Sequence, residues 1–420
     1  MRYRIERKKT VTVIVIAAVM LILGGAYLWY ARNYGNAEHI NLTPSKVIEY
    51  EYKDSASSHG ITADYVWSRT KELMVAGGED GVLIPSSYMI AGRLSEEEAE
   101  ESGEYLLSDQ ARLLMVYVRT SDRFKAASLK NAVLERFDME NESVSERMMW
   151  LDAYLYYYVA FGNAEDYENI VSLKDTLFDE NGMVVPETLQ IASYDQGGFV
   201  SVGDSDSHDE DTSASVILVP QSDSYSNELT TVQGVELSSV NLMLIKDLEA
   251  NGLLPEGSYE RDLQIVLDGR VASDIPLYAY AYTTSEEGDI SYIYSHEVVA
   301  TVDMEETIAV MRSLAEVGEL PDDSYSWIKN RIMNGSSISR YYYIVYGNAD
   351  GDEAYDTLTD ILAIAFFRDD IDLFDRVCTL LGSRVATYKD SPALSMIYRT
   401  QGDRFFFTAR ENLEVCLALM

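Results

Sequence analysis

Three carboxylates carry most of the chemistry that this 420-residue chain offers. Asp109 follows Ser108 at the head of an apolar run, Leu113-Leu114-Met115-Val116. Asp152 lies inside Met148-Met149-Trp150-Leu151-Asp152-Ala153-Tyr154, where an acid on an apolar helix needs a partner or a purpose. Asp274 precedes Ile275-Pro276-Leu277-Tyr278, and Pro276 forces Ile275 to be extended, so this acid stands at a break between helices. A pair of carboxylates can divide the work of general acid and general base, provided that one keeps its proton near neutral pH. Local sequence leaves a plainer reading open for Asp109, since Ser108 or Asp109 could cap the free amides of a first helical turn.

Other catalytic devices are missing. The chain has no Gly-rich phosphate loop, no Gly-x-Ser-x-Gly elbow and no reactive Cys with a plausible His partner. Its four histidines are scattered without zinc spacing, so no metal and no cofactor is expected. Carboxylates beside aromatic rings are the composition of a carbohydrate cleft. The 31 tyrosines, against 11 Phe and 4 Trp, offer rings that stack on sugars or pack helix faces.

The elements that would position these acids are helices. Apolar periodicity marks 63–75, a stretch ending near Thr120, 121–137, 143–161, 237–248, 259–267, 304–317, 326–333, 354–367, 373–381 and 407–419. Recurrent joints place a capping Asp, Asn or Ser before an aromatic expected to pack inward: Asp122 before Phe124, Asn163 before Tyr167, Asp323 before Tyr325, Asp370 before Phe374, Asp403 before Phe405. Their uneven spacing and missing signatures exclude tetratricopeptide and ankyrin repeats and favour a closed toroid of helical hairpins. Residues 185–235 are the exception, reading as loops with a short strand or two that could wall a cleft.

Residues 10–31 are almost wholly apolar and long enough to cross about 30 Å of hydrocarbon as a helix. Five basic residues precede this stretch and only Arg32 closely follows, which places the N-terminus in the cytoplasm and the remainder outside. The domain plan is therefore a basic tail (1–9), a membrane helix (10–31), a connector (32–60) and an extracellular domain (61–420). The net charge of −37 repels nucleic acid and anionic lipid and favours a neutral or cationic ligand. Cys378 and Cys416 either pair outside the cell or stay buried as thiols.

The order Ser108-Asp109 in an apolar helix, Asp152 on the next long one, Ser273-Asp274-Ile275-Pro276-Leu277-Tyr278 and Ser313-Leu314-Ala315-Glu316-Val317-Gly318 resembles glycoside hydrolase family 8. The likeness spans roughly residues 60 to 380 and is strongest to membrane-anchored members that accompany exopolysaccharide synthesis. It implies an all-α (α/α) toroid of six or seven hairpins that cleaves β-linked glycans with inversion. Matched residue by residue, Asp109 takes the position of the general acid and Asp274 that of the base. Asp152, Trp150, Tyr154, Tyr194, Tyr278 and Tyr282 would shape sugar subsites. Two departures stand out. The family's acid is a Glu, about 1.5 Å longer in reach than Asp109, and its Asp-Leu-Arg is here Asp152-Ala153-Tyr154. The resemblance implies a polysaccharide substrate and exopolysaccharide synthase machinery as a partner. The competing reading is a catalytically silent glycan-binding or scaffold component.

Overall fold

The helices sort into two classes by burial. In this computed structural model, which describes residues 38–91, 99–192, 199–201, 216–218, 229–271, 275–285, 288–295, 301–344, 347–401 and 404–420, α1 (Tyr50–Ser58) and α2 (Ala63–Thr70) come first. Five hairpins follow: α3 (Leu107–Arg119) with α4 (Arg123–Arg136), α5 (Val144–Phe161) with α6 (Ala164–Leu177), α7 (Leu242–Ala250) with α8 (Ser258–Asp268), α9 (Met304–Val317) with α10 (Asp322–Met333), and α11 (Leu358–Phe367) with α12 (Ile371–Gly382). The last helix, α13 (Ala409–Leu419), pairs with α2 and closes the ring. The odd-numbered helices from α3 to α13 form the inner ring. Helix α11 buries nine of its ten residues, whereas outer α4 buries three of fourteen, because an inner helix must be covered on both sides. The architecture is an (α/α) toroid of six hairpins.

Caps set the starts of these helices. Asp122, Asn163 and Asp370 each accept a backbone N–H of the following first turn, as their joints predict, and Ser143 does the same at the start of α5. Gly318, at φ +86°, ends α9 with the left-handed turn that returns Glu319 N–H to Leu314 O. Three joints differ from expectation. Asp323 lies inside the first turn of α10, whose N-cap is Pro321. Phe124 is 89% exposed and packs nothing inward. Residues Arg404–Thr408 are a strand, paired antiparallel with Ser87–Ala91, instead of the start of a hairpin. The stretch 185–235 holds more strand than expected: Glu187–Ala192 pairs with Leu229–Glu236, and Phe199–Ser201 pairs with Val216–Leu218.

Among the described residues, the strands all fall in outer-to-inner connections, at the end of the toroid where the inner helices begin; this end is called the rim. The opposite end, the foot, has short turns such as 120–122 and 368–370. The basic tail 1–9 and apolar stretch 10–31 lie outside the described residues, and among the described residues no helix is long and apolar enough to cross a membrane. Cys378 and Cys416 are separate buried thiols on α12 and α13.

Candidate active site

Asp109 stands in the first turn of α3, at the rim, yet caps nothing: the helix begins at Leu107 and its N-cap, Leu106, has no side-chain bond to offer. The Ser108 N–H instead donates to Glu146, from the first turn of neighbouring α5. Asp109 is only 2% exposed. Burial raises its pKa to about 7; Arg112 opposes this, while Glu146 and Glu414 reinforce it. Arg112 is one turn along the same helix, but it donates to Glu414 at 2.8 Å and comes only within 3.5 Å of Asp109. Arg112 is thus shared between the two acids, with its closer contact to Glu414, and burial outweighs its pull, so Asp109 can carry a proton near neutral pH.

That commitment belongs to a chain of ion pairs across the inner ring. Glu414 of α13 binds Arg112 and, at 2.9 Å, Arg312 of α9; Arg312 binds Asp360 of α11 at 2.7 Å. Asp360 also meets Arg410, which pairs with Glu305; Glu305 pairs with Arg340, and Arg340 reaches Asp303 at 2.8 Å. Burial pushes the Glu414 carboxyl up, but Arg312 and Arg112 outweigh it and hold the group far below the usual carboxylate range. Alternating charges satisfy one another here, as buried ions must.

Glu306 escapes the network. It is half-buried in the first turn of α9 and takes no hydrogen bond from a described residue. Burial raises its pKa to about 9, with Asp303 and Glu236 adding to the rise and Arg340 opposing it. Glu236 accepts the Tyr280 hydroxyl at 2.9 Å, so this part of the rim gathers several carboxyls beside a tyrosine. Neither Glu146 nor Glu306 stands out in the sequence. The one available signal is position, because each lies in the first turn of a helix that the inner ring brings to the rim.

Asp152 points toward the axis roughly 12 Å below the rim, eight residues into α5. Burial raises its pKa to about 7; Glu316 and Asp247 add to this, and Asn241, hydrogen-bonded to it, and Arg312 oppose it. Trp150 and Tyr154 project from the other side of the helix, because residues two apart on a helix differ by about 200°. Tyr154 is buried between the rings, donating to Asp166 of α6 at 2.9 Å under Lys130 of α4, and Trp150 packs against it. Tyr278 is buried with its hydroxyl beside Ser324 of α10. Tyr282 is buried in the strand Ala281–Thr284, near Asp262 of α8. These four rings are core residues and present no open face to a sugar, which corrects the subsite reading of Trp150, Tyr154, Tyr278 and Tyr282. Asp274 and Tyr194 lie outside the described residues.

No known family's sequence model matches the chain, and no curated protein matches it by sequence. Solved structures do match. A novel alpha-amylase from Clostridium perfringens superposes with a TM-score of 0.55 at 16% identity, covering 84% of this chain and 98% of that one. PssZ from Listeria monocytogenes gives 0.50 at 10% identity, over 85% of this chain and 96% of its own. A family 8 glycosyl hydrolase, endoglucanase Cel10 from Klebsiella pneumoniae, gives 0.44 at 10% identity, over 76% and 99%. The chain shares its overall fold with the first two of these structures.

Proposed function

We propose that this protein is a membrane-anchored, extracellular glycoside hydrolase that cleaves a bacterial exopolysaccharide by an inverting mechanism with two carboxylates. The observation that carries the reading is Asp109: a carboxyl at the rim of a glycosidase-type toroid, holding its proton to about pH 7. In this reading Asp109, at the groove floor, protonates the leaving glycosidic oxygen as the bond to the anomeric carbon breaks. Asp274 takes a proton from the water that attacks the opposite face of the sugar. Inversion requires the two carboxyls about 6.5–9.5 Å apart, leaving room for that water. Glu146 and Glu306, two further rim carboxyls, hydrogen-bond sugar hydroxyls. The apolar stretch 10–31 anchors the domain outside the cell, and exopolysaccharide synthase machinery delivers the polymer.

A second reading, a glycan-binding or scaffold component without turnover, is favoured by the 2% exposure of Asp109, which limits access to a leaving oxygen. The experiment that separates them measures reducing-end release by the full chain from a panel of β-glucans and amino-sugar polymers. Turnover that Asp109→Asn and Asp274→Asn each abolish supports the hydrolase. Binding without turnover, indifferent to Asp109→Asn, sinks it. Turnover gained only in Asp109→Glu identifies an acid that has lost its reach.

A further inference from the structure

The foot of the toroid is tied to the segment that leads to the apolar stretch. Residues 38–49 run beneath the C-terminal ends of the inner helices. Tyr158 of α5 donates to Glu38 O. Asn41 and Asn251, just beyond α7, bond reciprocally: Asn41 N–H reaches Asn251 Oδ1 at 2.8 Å, and Asn251 Nδ2 reaches Asn41 O at 2.9 Å. Thr43 donates through its N–H (2.8 Å) and its hydroxyl (2.5 Å) to Asp247 of α7. Ser45 bonds Tyr156 of α5 at 3.3 Å, and Lys46 donates to Phe366 O at 2.5 Å, where α11 ends, and pairs with Asp369. Ile40 and Ile48 are buried at 5% and 8% exposure, so the strap is seated by apolar burial as well as by polar bonds.

From this strap we infer the orientation of the domain: the foot faces the bilayer and the rim, with its carboxyls, points away from it. The inference rests on the reading of residues 10–31 as a membrane helix. Chain length decides between the two orientations. Six residues lie between Ala31 and Glu38, seven Cα-to-Cα steps that reach at most about 25 Å. With the foot down, that reach suffices. With the rim down, the chain would have to climb the flank along α5, about 27 Å for its 18 residues, and then cross an outer helix roughly 10 Å wide. That path exceeds the available length. The exposed turns of the foot carry Asp122, Glu319 and Asp369, so the face is held near the membrane by its tether and not by attraction to anionic headgroups.

The test uses the full chain in phosphatidylcholine vesicles that contain a rhodamine-headgroup lipid as energy acceptor. Both native cysteines are fully buried, so a donor dye can be directed to Glu319→Cys, in a foot turn, or to Ser336→Cys, beyond the rim end of α10. Flotation with the vesicles is scored first; a chain that fails to float removes the anchoring reading itself. For floating protein, energy transfer several-fold greater from position 319 than from position 336 is expected. Equal or reversed transfer overturns the orientation while leaving the anchor intact. A flexible 20-residue Gly/Ser insertion between Asn36 and Ala37 should collapse the difference. If the difference survives the insertion unchanged, tether length does not set the orientation.

Discussion

The rim and the foot of the toroid are made by opposite ends of the same six inner helices; at the rim Asp303 and Glu305 sit in ion pairs, but two other rim acids are treated differently from the acids that hold the strap at the foot. At the foot, Asp247 accepts two bonds from Thr43 and Asp369 pairs with Lys46, so these acids are used to hold the strap. At the rim, Asp109 and Glu306 are withheld from strong partners, and burial keeps their protons on. The expectation from helix dipoles runs the other way, since the N-terminal ends at the rim should favour ionised acids. Desolvation and crowding by other carboxyls outweigh the dipole there. Connections follow the same division: short turns at the foot leave little room for a site, whereas the rim carries strands and long loops.

If the contrast is functional, the largest effect belongs to the rim. Asp109→Asn should lower glycan turnover by roughly 10²- to 10⁴-fold, the usual range for losing a general acid, with the fold intact by circular dichroism. Strap variants such as Thr43→Val should leave turnover unchanged. The ion-pair chain comes next. Glu414→Gln leaves Arg112 and Arg312 without their shared carboxylate, and should cost about 3–5 kcal/mol in denaturant unfolding.

The third prediction concerns pH. The Asp109 pKa is raised from 3.8 to about 7 in the folded chain, so its contribution to stability is fully present below pH 4 and is lost as pH rises through 7. Ionising it in place costs roughly 4 kcal/mol. Asp109→Asn should therefore raise Tm by a few degrees at pH 8, with little gain at pH 4; a constant difference across pH would refute the buried-proton account. The smallest effect is expected between the rings. Tyr154→Phe removes a buried bond to Asp166 and should cost about 1–2 kcal/mol without touching turnover, because that ring is buried against α6 between the two helical layers.

Much of the toroid was legible in advance. Caps at Asp122, Asn163 and Asp370 and the 3.6-residue apolar periodicity located most hairpins, because both signals are local. Phe124 shows where local reasoning stops: the joint is real, but no neighbour covers the ring. The tyrosines show the same limit. Trp150, Asp152 and Tyr154 are adjacent in sequence, and only the packing of α5 between α3 and α6 decides that the acid faces the axis while the rings face outward.

Sequence by itself determined the predominantly helical class, most of the hairpin order and the charge of the chain, since these follow from residue type and periodicity. Tertiary structure alone decided which acids keep their protons. Arg112 is one turn from Asp109 and pairs with it at 3.5 Å, but Glu414, some three hundred residues away in the chain, shares the guanidinium at 2.8 Å, and burial outweighs the remaining attraction. Protonation depends on dielectric and on charges within a few ångströms, and that neighbourhood is assembled only when the ring closes.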